Sequence, residues 1–168
     1  MELKYLQRKM KKLNLGCGDD YKEGWINVDF RKNVKTEVIH DLNKIPYPFK
    51  ENSIDLVYMR QVLEHVDRPI NVLKELSRIC KNGARIKIYV PHANSYAHIS
   101  GIEHRGLFTE HTFSKHHLNE YELNNLVLVK QRFLFVNKWK KMIPFKKYLK
   151  IFLNGLYDDL YFEFEVRK

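Results

Sequence analysis

Two glycines one residue apart, set between two short apolar runs, constrain this chain more than any other feature. In LNLGCGDDYKEGWINVDF, Leu13 to Phe30, the run Leu13 to Leu15 breaks at Gly16 and Gly18, and the run Trp25 to Val28 ends on Asp29. Short apolar runs of this kind read as strands of a parallel sheet. Ligands of such sheets sit outside the carboxyl ends of the strands, where the chain order reverses. Glycines there remove the Cβ atoms that would hold a ligand off the backbone. An acid closing the neighbouring strand can accept hydrogen bonds from a ribose diol. The stretch therefore predicts a nucleoside-cofactor site, with a plain turn between two strands as the alternative.

Which cofactor follows from the patterns the stretch does not complete. A dinucleotide fingerprint wants a third glycine where Tyr21 stands and an acid about twenty residues on, whereas Asp29 follows Gly18 after eleven. No Gly-Lys-Ser/Thr marks a P-loop. The pattern of hydrophobic, polar, hydrophobic, Gly-x-Gly and a strand-ending acid resembles the first motif of the class I S-adenosyl-L-methionine-dependent methyltransferases. It departs in two places: Asn14 stands where the family carries an acid, and Asp20 where it carries a third glycine.

The rest of the chain follows an order consistent with that resemblance. Strands are predicted at Lys12 to Leu15, Trp25 to Val28, Thr36 to His40, Ile54 to Tyr58, Ala84 to Val90, Asn125 to Phe135 and Leu160 to Val166. The link between the first two strands is too short for a full crossover helix. Asp67 is the expected N-cap of a long helix with Pro69 in its first turn, Ile70, Leu73, Leu76 and Cys80 near one face, and Gly83 as its C-cap. Residues 91–121, with six of the eight histidines, lose all periodicity and read as a wet lid. Phe145, Tyr148, Leu149, Phe152, Leu153 and Leu156 make one helical stripe.

The segment PYPFKENSIDLVYMRQVLEHV carries the resemblance furthest. It is similar to the fourth-strand region of small-molecule O- and N-methyltransferases, the type 11-like branch that includes quinone-biosynthesis enzymes. The resemblance implies an α/β three-layer sandwich, a mostly parallel seven-stranded sheet with an antiparallel last strand. One domain is expected over 1–168, with the lid at 91–121 and a basic helical segment at 138–159.

The resemblance also implies a cofactor site of Asn14, Gly16, Cys17, Gly18, Asp29, Phe30, Asp41, Leu42 and Gln61. Asp29 would take the ribose, Asp41 and Leu42 the adenine, and Gln61 the methionine end. Asp29 and Asp41 can equally be turn formers. Methyl transfer from a sulfonium is an in-line displacement, so positioning dominates and a base is needed only when the acceptor must lose a proton. His92, just past the fifth strand, is the first candidate base, with His98, His104, His111 and Glu110 in reserve. Glu64 and His65 are either catalytic or a structural pair. Zinc binding by the lid histidines lacks the helical pair or cysteine partner that would make it specific, and no metal is assigned.

Two cysteines, Cys17 and Cys80, build neither a disulfide framework nor a zinc quartet, which favours a reducing cytoplasm. No apolar run is long enough to span a membrane. The net charge of +10 concentrates in residues 130–150, which hold eight lysines and arginines and no acid. Such a field attracts nucleic acid, anionic lipid or an anionic small substrate. Trp139, Phe145 and Tyr148 among these lysines can stack on bases or lie in a membrane interface, while the 145–156 stripe can be core or a homodimer face. The expected activity is methyl transfer to oxygen or nitrogen of a small, anionic acceptor. The alternatives are an RNA or protein methyltransferase using the basic face, and a degenerate cofactor-binding partner module.

Overall fold

The computed structural model describes residues 10–136, 138–149 and 155–168. Seven strands form one sheet: β1 (Lys12–Leu15), β2 (Ile26–Asp29), β3 (Val38–Ile39), β4 (Ile54–Arg60), β5 (Cys80–Pro91), β6 (Leu126–Leu134) and β7 (Asp159–Val166). Their spatial order is β3-β2-β1-β4-β5-β7-β6. The first five run parallel, and β7 inserts antiparallel between β5 and β6. The order reverses between β1 and β4, so the carboxyl ends of these two strands define the crevice where a ligand of such a sheet belongs.

One side of the sheet supplies the core. Val57 and Met59 of β4, Ile86 and Ile88 of β5, and Phe162 and Phe164 of β7 are all fully buried. Helix α1 (Pro69–Ile79) adds Val72, Leu73, Leu76 and Ile79 to the same cluster. The alternate residues Tyr58, Tyr89 and Tyr161 form an aromatic row with Trp25, and all but Tyr161 stay half-exposed.

Helix α1 differs from expectation at both ends. Its N-cap is Arg68, which makes no side-chain capping bond; the Asp67 N–H instead donates to Asn43 Oδ1 at 2.8 Å and its carboxylate pairs with Arg105. The C-terminal end comes at Ile79, because Cys80 turns extended and pairs with Ile54 of β4. The fifth strand therefore starts four residues before Ala84, and Gly83, at φ +78°, lies within it rather than capping a helix.

Residues 91–121 are more ordered than their sequence suggests. Helices α2 (Tyr96–Ser100) and α3 (Lys115–Glu120) are capped by Ser95 and Ser114, whose hydroxyls accept from the N–H groups of His98 and His117. Between them Phe108 and Phe113 are buried, and Phe113 sits edge-on to Phe162 and Phe164 at 4.8 and 5.2 Å. The segment is thus held down by core contacts rather than being a wet loop. It is also tied to the turn after β4, where the N–H groups of Arg105 and Gly106 both donate to the Glu64 carbonyl.

Within the expected basic helical segment 138–159, which includes the 145–156 stripe, the described residues form a 3-10 turn at Lys138–Met142 and a short α4 (Lys146–Leu149). Phe145 and Tyr148 are exposed and Leu156 is buried, while Phe152 and Leu153 lie outside the described residues, as does the segment before residue 10. No helix among the described residues is long and apolar enough to cross a membrane.

Candidate active site at the strand carboxyl ends

The β1–β2 loop is fastened by two asparagines that face each other in register, Asn14 on β1 and Asn27 on β2. The Asn14 amide donates to the Asp20 carbonyl at 2.7 Å and to Asn27 Oδ1 at 2.9 Å. Asn27 in turn accepts from the Lys22 N–H at 2.9 Å and donates to the Lys22 carbonyl and to Glu37. The Asn14 amide protons and both polar atoms of the Asn27 side chain are matched, as burial demands. This explains the departure at Asn14, since both of its protons point at acceptors. Asn14→Asp is expected to cost about 2–3 kcal/mol in urea unfolding by leaving two buried acceptors facing a carboxylate. A variant as stable as the parent would contradict this account.

Gly16 follows at φ +62°, and a Cβ there would run into the Val62 side chain. Only glycine lets the loop after β1 and the turn after β4 approach this closely. Gly18 donates its N–H to Asp29 Oδ2 at 2.8 Å. Asp29 Oδ1 accepts from the Arg31 N–H at 3.0 Å and from Arg31 Nε at 3.2 Å. Burial opposes the charge on Asp29, but these hydrogen bonds and the guanidinium outweigh it and hold the carboxyl below its usual range.

A cleft of about 650 Å³ opens at this end of the sheet, a size typical of small-ligand sites. Of the residues expected from sequence, Gly16, Asp29, Phe30, Asp41, Leu42 and Gln61 line it, and so does His65. Asn14, Cys17 and Gly18 stand behind that wall. Asn14 fastens the loop, Gly18 holds Asp29, and the Cys17 thiol is buried, its pKa raised first by burial and then by Asp29. Asp41 both lines the cleft and accepts from the Asn43 N–H at 3.0 Å, so its turn-forming and site-facing roles coincide. Gln61 sits at φ +55°, unusual for a residue with a side chain, while its N–H donates to the Tyr89 carbonyl at 2.9 Å.

His92 lies outside the lining. Its ring is buried against Tyr157 and Phe133, with Nδ1 accepting from the Asn94 N–H at 3.0 Å and Nε2 3.4 Å from Glu110. Burial, then the neighbouring His104, lowers the pKa of His65, which favours a neutral imidazole at the cleft wall.

Sequence reasoning missed Arg31, His40, Asn43, Val62, Val66, Asp67, Glu103 and Arg105 as lining residues. Arg31, two residues after the strand-ending acid, was the one with a local signal. Glu103 and Arg105 arrive only through the fold of the lid. A further feature is Glu64, fully buried, whose two carboxylate oxygens have no hydrogen-bond partner among the described residues; burial pushes its pKa up to about 7.

Residues 17–88 match the family model described as a methyltransferase domain. No curated protein matches the chain. Among solved structures it is similar to a putative methyltransferase of Bacillus halodurans, with a TM-score of 0.67 and 12% identity over 98% of this chain and 95% of that one. A putative methyltransferase of Haloferax volcanii, solved with the activator Trm112, has a TM-score of 0.63 and 14% identity over 95% and 84%. An S-adenosylmethionine-dependent methyltransferase of Mesorhizobium loti has a TM-score of 0.59 and 12% identity over 94% and 91%. At such identities the structures speak for the fold. Strand order and the match over residues 17–88 together give this chain the fold of the class I methyltransferases.

Proposed function

We propose that this chain is an S-adenosylmethionine-dependent methyltransferase that methylates oxygen or nitrogen of a small, anionic acceptor enclosed between the glycine loop and the lid. The observation that carries this reading is that Glu103 and Arg105 of the lid line the same cleft as Gly16 and Asp29, which limits the space left for an acceptor.

The residues present fit the cofactor. Asp29 Oδ2 accepts from the Gly18 N–H and keeps a lone pair for a ribose hydroxyl. Asp41 would accept from the adenine amine, with Leu42 and the exposed ring of Phe30 against the base, and Gly16 and Gln61 would border the methionine end. When bound, S-adenosylmethionine supplies an activated methyl group for in-line displacement, and the chain's task is alignment. Arg31 and Arg105 present partly exposed guanidinium groups to the cleft, each opposite one carboxylate, which favours an anionic acceptor. His65, the histidine of the two catalytic candidates that faces the cleft, would contact the acceptor heteroatom and take its proton where one must leave. The buried free thiols Cys17 and Cys80 suit a reducing cytoplasm.

A second reading has its own support, because Trp139, Phe145 and Tyr148 are exposed in a segment without acids. That surface suits RNA or a protein partner, such as an activator of the kind bound to the Haloferax methyltransferase. Incubation with methyl-labelled cofactor and fractionated cell extract separates the readings. Label is expected in the small-molecule fraction, and label confined to RNA or protein would overturn the proposal.

A further inference from the structure

Behind the cleft wall, two orphaned carboxylate oxygens and two orphaned imidazole nitrogens come together. Glu64 is fully buried with neither oxygen hydrogen-bonded among the described residues, and Nδ1 of His98 and Nδ1 of His104 are buried without partners as well. The rings of His65, His104 and His98 follow one another at 4.7 and 5.1 Å. One ligating atom from each of Glu64, His65 and His104 lies within 4.8 Å of the others, and His65 Nε2 is 4.0 Å from Glu64 Oε1.

A buried carboxylate without a partner is costly, and structures normally supply a hydrogen bond, a counter-charge or a cation. No well-formed hydrogen bond reaches either oxygen among the described residues, and the nearby Glu64 and Val62 N–H groups offset its burial only in part. The N–H groups of Arg105 and Gly106 are spent on the Glu64 carbonyl. What surrounds the carboxylate is imidazole, a ligand suited to zinc-like borderline divalent ions, together with one hard oxygen donor. Ligand atoms around such an ion stand about 3.3 Å apart for bonds near 2.0–2.1 Å, so the cluster is open by up to about 1.5 Å. Small side-chain rotations close that gap.

We propose that Glu64, His65 and His104 form a binding site for a borderline divalent cation such as zinc or cobalt. The ion would join the turn after β4 to the lid, because Glu64 and His65 belong to the first and His104 to the second. Three protein ligands leave a fourth position open, as in zinc sites that also bind a water or a substrate. His65 lines the cleft, so the ion would stand at the cleft's wall. The site stands whatever the acceptor is. Only one consequence rests on the function proposed above: with the ion in place His65 would serve as its ligand instead of as the base, and the ion would lower the pKa of the acceptor's heteroatom.

The test uses the full chain, stripped with chelator and dialysed. Titration with zinc followed by calorimetry is expected to show one saturable equivalent, and cobalt to give visible absorption bands of a nitrogen- and oxygen-ligated ion. Magnesium is expected to bind far more weakly. Glu64→Gln and His104→Ala should each weaken zinc binding about tenfold or more, and His116→Ala, on the exposed side of α3, should not. S-adenosylhomocysteine binding, measured on the same samples, reports whether a variant is folded and judges the cofactor site separately from the metal. No saturable zinc binding by the parent protein overturns the proposal. So does binding that survives both substitutions in folded protein, follows His116, or prefers magnesium.

Discussion

Asp29→Ala is expected to weaken S-adenosylmethionine binding by about two orders of magnitude in calorimetry. The carboxylate has two tasks in this structure. It would accept from the ribose, and it already accepts from the Gly18 N–H, holding the second half of the glycine loop in place. A hydrogen bond to a charged group contributes about 1.5–3 kcal/mol, and losing about 2.7 kcal/mol is a hundredfold in affinity. Asp29→Asn keeps an acceptor oxygen without the charge and should fall between the alanine variant and the parent. Arg31 is less critical, being partly exposed and bound to the same carboxylate. An alanine variant that binds within threefold of the parent would remove Asp29 from the site and with it the assignment of the ribose end.

Glu64→Gln is expected to change how stability depends on pH. In metal-free protein, burial lifts the Glu64 pKa from 4.5 to about 7. A carboxyl whose pKa is raised on folding contributes fully below its unfolded value, and the contribution is lost as pH rises through the folded one. From this group alone, the parent should lose about 2–3 kcal/mol between about pH 4.5 and pH 8. Glutamine cannot ionise, so the chelator-treated variant should match the parent under acid conditions and exceed it by that amount under alkaline ones. Urea unfolding across pH reads the difference directly. Parallel pH curves for the two proteins would show that Glu64 is not held neutral by its surroundings.

The sheet was legible because the strands are marked locally by β-branched and apolar runs, four of which end at Gly16, Asp29, Asp41 and Pro91. Lys12–Leu15 was read to the residue, and β7 to within one residue at its start. The family pattern also marked Gly16, Asp29, Asp41 and Gln61, all of which come to one cleft. What the sequence hid are matters of register and long-range contact. That Asn14 is a fastener becomes visible only once Asn27 is known to lie opposite it. Asp67 looked like a helix cap because it precedes Pro69, yet Asn43 and Arg105, distant in the chain, claim it. Gly83 looked like a helix end because a glycine commonly ends one. Here the pairing of Cys80 with Ile54 draws the chain into the sheet first. The lid's histidines carried no period, and its anchor Phe113 is a single aromatic whose partners Phe162 and Phe164 sit some fifty residues on.

The insertion of β7 between β5 and β6 bears on the order in which the molecule is built. During synthesis β6 has no neighbour to pair with until β7 has been made, so the outer half of the sheet stays open while the inner strands already have theirs. Phe162 and Phe164, which close the core against Phe113, also come late. A nascent chain halted before residue 159 would therefore display an unpaired edge on β5 and a bare aromatic surface on the lid, the features that recruit chaperones and invite misassembly.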